Sequence, residues 1–257
     1  METVLVACQT IEDEIQAGLE RFSLSYPIIW LEGGLHNSPD KLRKRVQEIL
    51  DSVQCQRLLI ALGYCGGGVS GLSTGNFQTV LPLADDCLSL LLGSMEARRL
   101  ASRPATYFLT AGWMRHENNL VTTYHHAVER FGKRQADRIN QLMFKHYRRI
   151  GLVQTGCYDP QEVNVQVEPL ADTLGLTIET LPGDNDWLGG FLTGPHTDRE
   201  RFLVAAPHSV ISFEAWSKLL MGTESSSQVT QFDSAPVFPA VPTLLSPPRG
   251  GRPVEGV

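Results

Sequence analysis

The sequence predicts an α/β protein: an open, mostly parallel sheet with helices on both faces, with room for two Rossmann-like lobes. Three observations predict it. Short apolar runs rich in branched residues recur along the chain. Segments with apolar residues three and four apart separate most of them. Nearly every run ends in a polar turn containing glycine, cysteine, aspartate or histidine. Strands alternating with helices imply a parallel sheet joined by right-handed crossovers. At 257 residues and 42% hydrophobic, the chain can bury the core this requires.

Residues 3–7 (TVLVA) read as the first strand, with Cys8 directly after it. A helix over residues 12–22 follows, with Ile15, Leu19 and Phe22 on one face. Residues 27–31 (PIIWL) form a second strand that leads into Glu32-Gly33-Gly34-Leu35-His36-Asn37. Ser38 as N-cap and Pro39 at the first helical position open a helix that runs to about Val53. Residues 58–62 and 80–83 are the third and fourth strands, separated by a glycine-rich loop over residues 63–75. A helix continues from Cys87 through Leu92 toward Leu100. Residues 106–110 (TYFLT) are the fifth strand, ahead of Ala111-Gly112-Trp113. A long helical region covers about residues 118–146, interrupted near Gly132. Strands at 150–154, 176–180 and 202–205 complete the set. Between them lie a helix over 160–174, which Pro169 should kink, and a short helix from Asp186 through Leu192. The break near Tyr147 suggests an N-terminal α/β lobe over residues 1–147 and a smaller C-terminal α/β lobe over 148–222. Residues 223–257, rich in Ser, Pro and Gly, read as a disordered tail.

A net charge of −6 argues against non-specific nucleic-acid binding, which needs a basic face. The basic residues between Lys133 and Arg149 read as a solvated helix face. METVLVACQT lacks the positive start of a signal peptide, and no run reaches the roughly 20 residues that cross a bilayer. The expectation is a cytoplasmic protein without membrane or nucleic-acid partners. Five cysteines at irregular spacing read as free thiols rather than a disulfide framework.

The candidate chemistry sits at the strand ends. Cys8, Cys65, Cys87 and Cys157 each fall just after an expected strand, and Cys55 does not. Parallel strands would gather such thiols on one edge, where α/β sheets bind ligands. Three thiolates and an imidazole can hold zinc or an iron–sulfur cluster. No CxxC pair supports this, and the plain alternative is that free cysteines pack as small buried hydrophobes. The loop from Gly63 through Cys65, Gly66, Gly67 and Gly68 to Gly71 follows a strand as phosphate cradles do, but it is neither GxGxxG nor a P-loop. Asp85 and Asp86 stand beside Cys87 at a helix start. They favour the helix dipole there, and either could serve as a base or support a ligand. His36 lies on the same expected edge, as a ligand, a proton donor or a capping residue. His116, His125, His126 and His146 read as helix-surface residues, His196 and His208 as isolated. Trp113 reads as a packing residue before a pocket wall.

With these motifs in view, the sequence resembles the domain-of-unknown-function family 1638. Cys8 and the segments GGLHNSPDKLRKRVQEIL, LIALGYCGGGVSGL, LPLADDCLSLLLGS and TYFLTAGW carry the resemblance, with LPGDNDWLGGFLTG and FLVAAP more weakly. The resemblance implies that Cys8, His36, Cys65, Asp86 and Cys87 occupy the family's characteristic motifs, whereas Cys157 matches none. It also implies a setting beside corrinoid-dependent methyltransferases for methylated amines, with a corrinoid protein or methyltransferase as partner. Two functions compete. In one, Cys8, Cys65 and Cys87 bind an iron–sulfur cluster or zinc, with His36 or a substrate completing the site and Asp86 in support. In the other, a metal-free accessory protein holds a nucleotide, a corrinoid or another small molecule with Gly63, Gly66, Gly67 and Gly68. Covalent catalysis by Cys65 or Cys87 is a third reading.

Overall fold

Parallel pairing puts β1 (Thr3–Cys8) between β2 (Ile28–Leu31) and β3 (Arg57–Ala61), with Leu5 opposite Ile28 on one side and Leu59 on the other. The computed structural model describes residues 2–217 except Ala215, so the expected tail at 223–257 lies outside the described residues. β4 (Gln78–Pro82) extends the sheet in parallel from β3, and β8 (Phe202–Ala205) closes it antiparallel, giving the order β2-β1-β3-β4-β8. Successive strand residues face opposite sides. Leu5, Ala7, Leu59 and Ala61 pack with Ile15 and Leu19 of α1 (Glu12–Arg21). Val4, Val6, Leu58 and Ile60 pack with Leu42, Val46 and Ile49 of α2 (Pro39–Ser52). Burial on both faces explains why these strands read as continuous apolar runs.

A second sheet, all parallel, has the order β5 (Thr106–Leu109), β6 (Arg149–Gln154), β7 (Thr177–Pro182). Phe108 and Val153 on one face join the core that holds Ile15 and Leu19. That core also contains Leu88, Leu90 and Leu91 of α3 (Cys87–Leu91) and Trp187, Leu188 and Phe191 of α9 (Asp186–Thr193). The two sheets therefore share a middle layer of α1, α3 and α9. Tyr107, Leu109, Ile150 and Leu152 on the far face pack with Leu120 of α6 (Leu120–Phe131), Phe144 of α7 (Lys133–Phe144) and Val163, Val167 and Leu170 of α8 (Pro160–Leu174).

All eight expected strands form, within a mixed α/β architecture of mostly parallel sheets flanked by helices. Sheet membership does not change at Tyr147: β5, from before it, joins β6 and β7, and β8 returns to the larger sheet. The helix expected from Cys87 to Leu100 is broken. Gly93 takes φ +81°, a left-handed conformation natural to glycine, and the Ser94 side chain accepts from the Ala97 amide to start α4 (Met95–Ser102). The long helical region divides at Gly132, as expected. α8 continues through Pro169. One turn of helix that the periodicity does not signal, α5 (Ala111–Met114), starts directly after β5. Among the described residues, no helix is long and apolar enough to cross a membrane.

The segments that follow β1 and β5 meet at Gly112. A Cβ there would stand 2.5 Å from the Thr10 carbonyl oxygen, while the Thr110 hydroxyl donates to that same oxygen at 3.1 Å. Gly112→Ala should therefore push the strand ends apart and lose about 1–3 kcal/mol in urea denaturation. A loss below about 0.5 kcal/mol would mean that the contact yields freely.

Candidate functional site

The strand order defines the site. From β1 the chain moves to one side for β2, then crosses back to place β3 on the other side of β1. The crevice beyond the carboxyl ends of β1 and β3 is the topological switch point, where such sheets bind ligands. Cys8 ends β1, and the Gly63–Cys65 turn follows β3. The Asp85-Asp86-Cys87 turn follows β4 and adjoins it. Tyr64 N donates to Ala84 O at 2.7 Å and Cys65 N to Asp85 O at 2.8 Å, lacing the two turns together. Only glycine fits at position 63, since a Cβ would stand 2.6 Å from Asp86 N. Cys65 has φ +47°, an uncommon conformation for a residue with a side chain.

The thiols converge. The Thr10 hydroxyl donates to Cys8 Sγ at 3.1 Å and lies 4.0 Å from Cys87 Sγ. Burial raises the pKa of all three thiols, and the negative charge of Asp86 adds to this at Cys65 and Cys87. Cys8 acts on Cys65, and both act on Cys87. At neutral pH the three therefore stand as thiols and not thiolates. Nucleophilic attack needs the thiolate, so this environment disfavours the reactive form of Cys65 and Cys87.

Asp86 is the charged centre. It caps α3 by accepting from Ser89 N at 2.9 Å and is held by Arg98 Nε at 3.0 Å. The guanidinium lies 4.2 Å from the centre of the Phe108 ring. Asp86 is buried and Arg98 is half-buried, with its side chain only 12% exposed. Asp85 accepts from Asp86 N and from the Ser89 hydroxyl. Its own burial and the Asp86 charge push its pKa up to about 6, against the opposing effects of Ser89 and Arg98.

His36 faces this charge from the turn after β2. Burial holds its pKa down at about 4, with Asp86 opposing and His116 assisting. Its ring lies 5.8 Å from that of Trp113, which stacks on His116 at 5.1 Å and 6°. His116 in turn packs against Gly33. Trp113 and His116 follow β5, so the second sheet supplies a wall to a site whose thiols come from the first.

The expected residues separate into two groups. Cys8, His36, Cys65, Asp86 and Cys87 come together. Cys157 lies on the other sheet's edge, beside Thr155 and Asn185, and Cys55 lies apart beside Glu2. Gly63, Gly66, Gly67 and Gly68 line the turn, but its backbone is used internally. The amides of Tyr64, Cys65, Gly67, Gly68, Ser70 and Gly71 donate to protein carbonyls, and Arg43 binds Gly67 O and Ser70 O at 2.9 Å each. The loop therefore has few donors left for an anion. Thr10, Ser89 and Arg98 are members that the motifs do not reveal. Thr10 has a faint signal, a hydroxyl two residues beyond a strand-end cysteine; Arg98 has none. His125 and His146 are exposed, as expected. Among the described residues, no three His, Cys, Asp or Glu side chains stand close enough together to hold a single metal ion.

Two outcomes test this geometry. Arg98→Met leaves Asp86 buried without its partner and should cost about 3 kcal/mol in urea denaturation; a near-neutral change would mean that water already solvates the carboxylate. The unfolded chain protonates His36 near pH 6.5, the folded chain only near pH 4. Stability contributed above pH 6.5 is therefore lost as pH falls through that window. An NMR titration should place the His36 midpoint near pH 4, and a midpoint at its ordinary value would contradict the burial.

A family model described as a protein of unknown function (DUF1638) matches residues 30–192. The matched segment contains His36, Cys65, Asp86, Cys87 and Trp113, and begins after Cys8. Neither the curated proteins nor the solved structures give a match.

Proposed function

The chain belongs to the DUF1638 family, and from its strand-end thiols we propose that it is a metal–thiolate protein, with Cys8, Cys65 and Cys87 as ligands. The observation that carries this reading is the placement of three thiols, two buried and one half-buried, after adjacent parallel strands around the switch point of the larger sheet. Soft sulfur donors suit zinc or iron–sulfur clusters and not magnesium or calcium. Three thiols whose pKa values are all raised give up their protons when a cation takes the charge.

An iron–sulfur cluster and a zinc ion both suit this donor type. A zinc ion would hold each sulfur at about 2.3 Å and so draw its ligands together. A polynuclear cluster separates its ligands by its own width. Held by Cys8, Cys65 and Cys87, such a cluster would supply Lewis-acid or redox chemistry.

The protein's own groups then have distinct duties. Arg98 fixes Asp86 and balances its charge. Asp85 holds or releases a proton near neutral pH. Thr10 donates to Cys8 Sγ, an interaction that tunes a sulfur ligand. His36, neutral at physiological pH, completes the ligand set or meets a substrate, and Trp113 with His116 closes that side against water. The setting that the family resemblance implies is corrinoid-dependent methyl transfer or one-carbon metabolism, beside a corrinoid protein or methyltransferase.

Protein purified without oxygen should contain iron and acid-labile sulfide and show a broad visible band. Cys8→Ser, Cys65→Ser and Cys87→Ser should each lose most of both. Zinc without sulfide would replace the cluster by a single-ion site. Absence of any metal, with the three variants unchanged, would end the metal reading.

A further inference from the structure

We propose that the outward face of α7 docks an acidic segment of a partner protein. This surface is independent of the metal reading and shares no side chain with it. Residues 130–149 hold seven of the chain's 22 lysines and arginines but one of its 28 acidic residues, Asp137. The stretch carries +6 in a chain of −6, so the other residues total −12. Two of the seven cations are compensated: Lys133 pairs with Asp137 at 2.8 Å, and Arg149 pairs with Glu179. Among the described residues, Arg134, Arg138, Lys145 and Arg148 form no ion pair. All four are exposed. Helix periodicity decides which of them share a face. Ala136, Asn140 and Phe144 are the buried side of α7. Arg134, Arg138, Leu142 and Lys145 follow one another at spacings of four, four and three on the opposite side, where Leu142 is 59% exposed.

Stability of the helix does not account for this arrangement. Arg134 and Arg138 stand one turn apart and repel each other. Lys133 and Arg134 lie in the first turn, where the helix dipole disfavours cations, and that turn holds no acidic residue and no side-chain cap. A partner that supplies carboxylates would offset both costs. An acidic protein segment fits the face better than other polyanions do. A lipid surface needs an apolar face to insert, and the apolar residues of α7 turn inward save Leu142. A nucleic acid extends past the face and meets the negative charge carried by the remainder of the chain. A short segment meets only the positive stretch, and Leu142 gives it an apolar contact within a charged rim. From Arg134 to Lys145 the helix rises about 16 Å, which an extended segment covers in about five residues.

The probe is a peptide of about eight residues, glutamates around one central leucine, titrated into the full chain and followed by amide NMR. Controls are the same peptide with glutamines for glutamates, a short DNA duplex, and phosphatidylserine vesicles in co-sedimentation. The glutamate peptide should shift the amides of residues 133–145, and added salt should abolish the shifts. The glutamine peptide should leave them in place. Arg138→Glu should weaken binding about tenfold, and glycine for the peptide's leucine about threefold. No shift along α7 in the native chain would overturn the proposal, as would equal binding of the glutamine peptide or an unchanged affinity in Arg138→Glu. Tighter binding of the duplex or the vesicles, lost in Arg138→Glu, would give the face to that polyanion. Salt-sensitive self-association of the chain, lost in the same variant, would give it to a second copy. Either result also overturns the proposal.

Discussion

Parallel pairing of β1 with β3 and of β3 with β4 determines where the polar turns of the larger sheet must go. Strands that run the same way end on the same edge, so the turns holding Cys8, Cys65 and Cys87 become neighbours although up to 79 residues separate them in the chain. Had β4 run the other way, its Asp-Asp-Cys turn would lie at the opposite edge. The same constraint explains the composition of those strands. Their two faces are both covered, by α1 on one side and α2 on the other, which leaves no room for polar side chains except at the ends.

Desolvation is the dominant electrostatic effect at that edge. It is the largest influence on all three thiols and on His36, ahead of any pairwise charge. The result is a site that disfavours the charged forms of its thiols, of His36 and, less strongly, of Asp85, beside an Asp86 carboxylate that pairs with the Arg98 guanidinium. Arg98 can do this because α4 begins where Gly93 and Ser94 break the helix after Cys87. A continuous helix from Cys87 to Leu100 would carry Arg98 elsewhere. The helix break is therefore part of the site's charge balance and more than a local irregularity.

The sequence carries the strands and the thiol edge openly, because both depend on local signals. A branched apolar run bounded by a polar turn is visible within ten residues, and parallel topology then follows from alternation with helices. The division into two sheets is not visible in that way. β5 and β6 pair across a long helical excursion, and nothing in TYFLT or IGLVQ says which sheet each joins. Trp113 reads locally as a packing residue more than a pocket wall and His116 as a helix-surface one, because their meeting with His36 depends on how the sheets dock. Glu14 looks like an ordinary acidic residue in the first turn of a helix, favourable to the dipole. Only packing shows that it points inward, to Thr155.

Docking of the sheets rests on the first turn of α1. Thr10, just before it, accepts from Thr110 at the end of β5, and Glu14, within it, accepts from Thr155 beyond the end of β6. Gly112 lets the backbones come close enough for the first of these bonds. One short stretch of chain is thereby held by the carboxyl ends of two strands from the other sheet. Thr10 faces the thiols through its hydroxyl and the second sheet through its carbonyl. A displacement of the second sheet would therefore move the Trp113–His116 wall and the hydroxyl that bridges Cys8 and Cys87 together. It would also move Thr155 relative to Glu14. The thiol edge and the Glu14–Thr155 contact are thus geometrically linked through the start of α1.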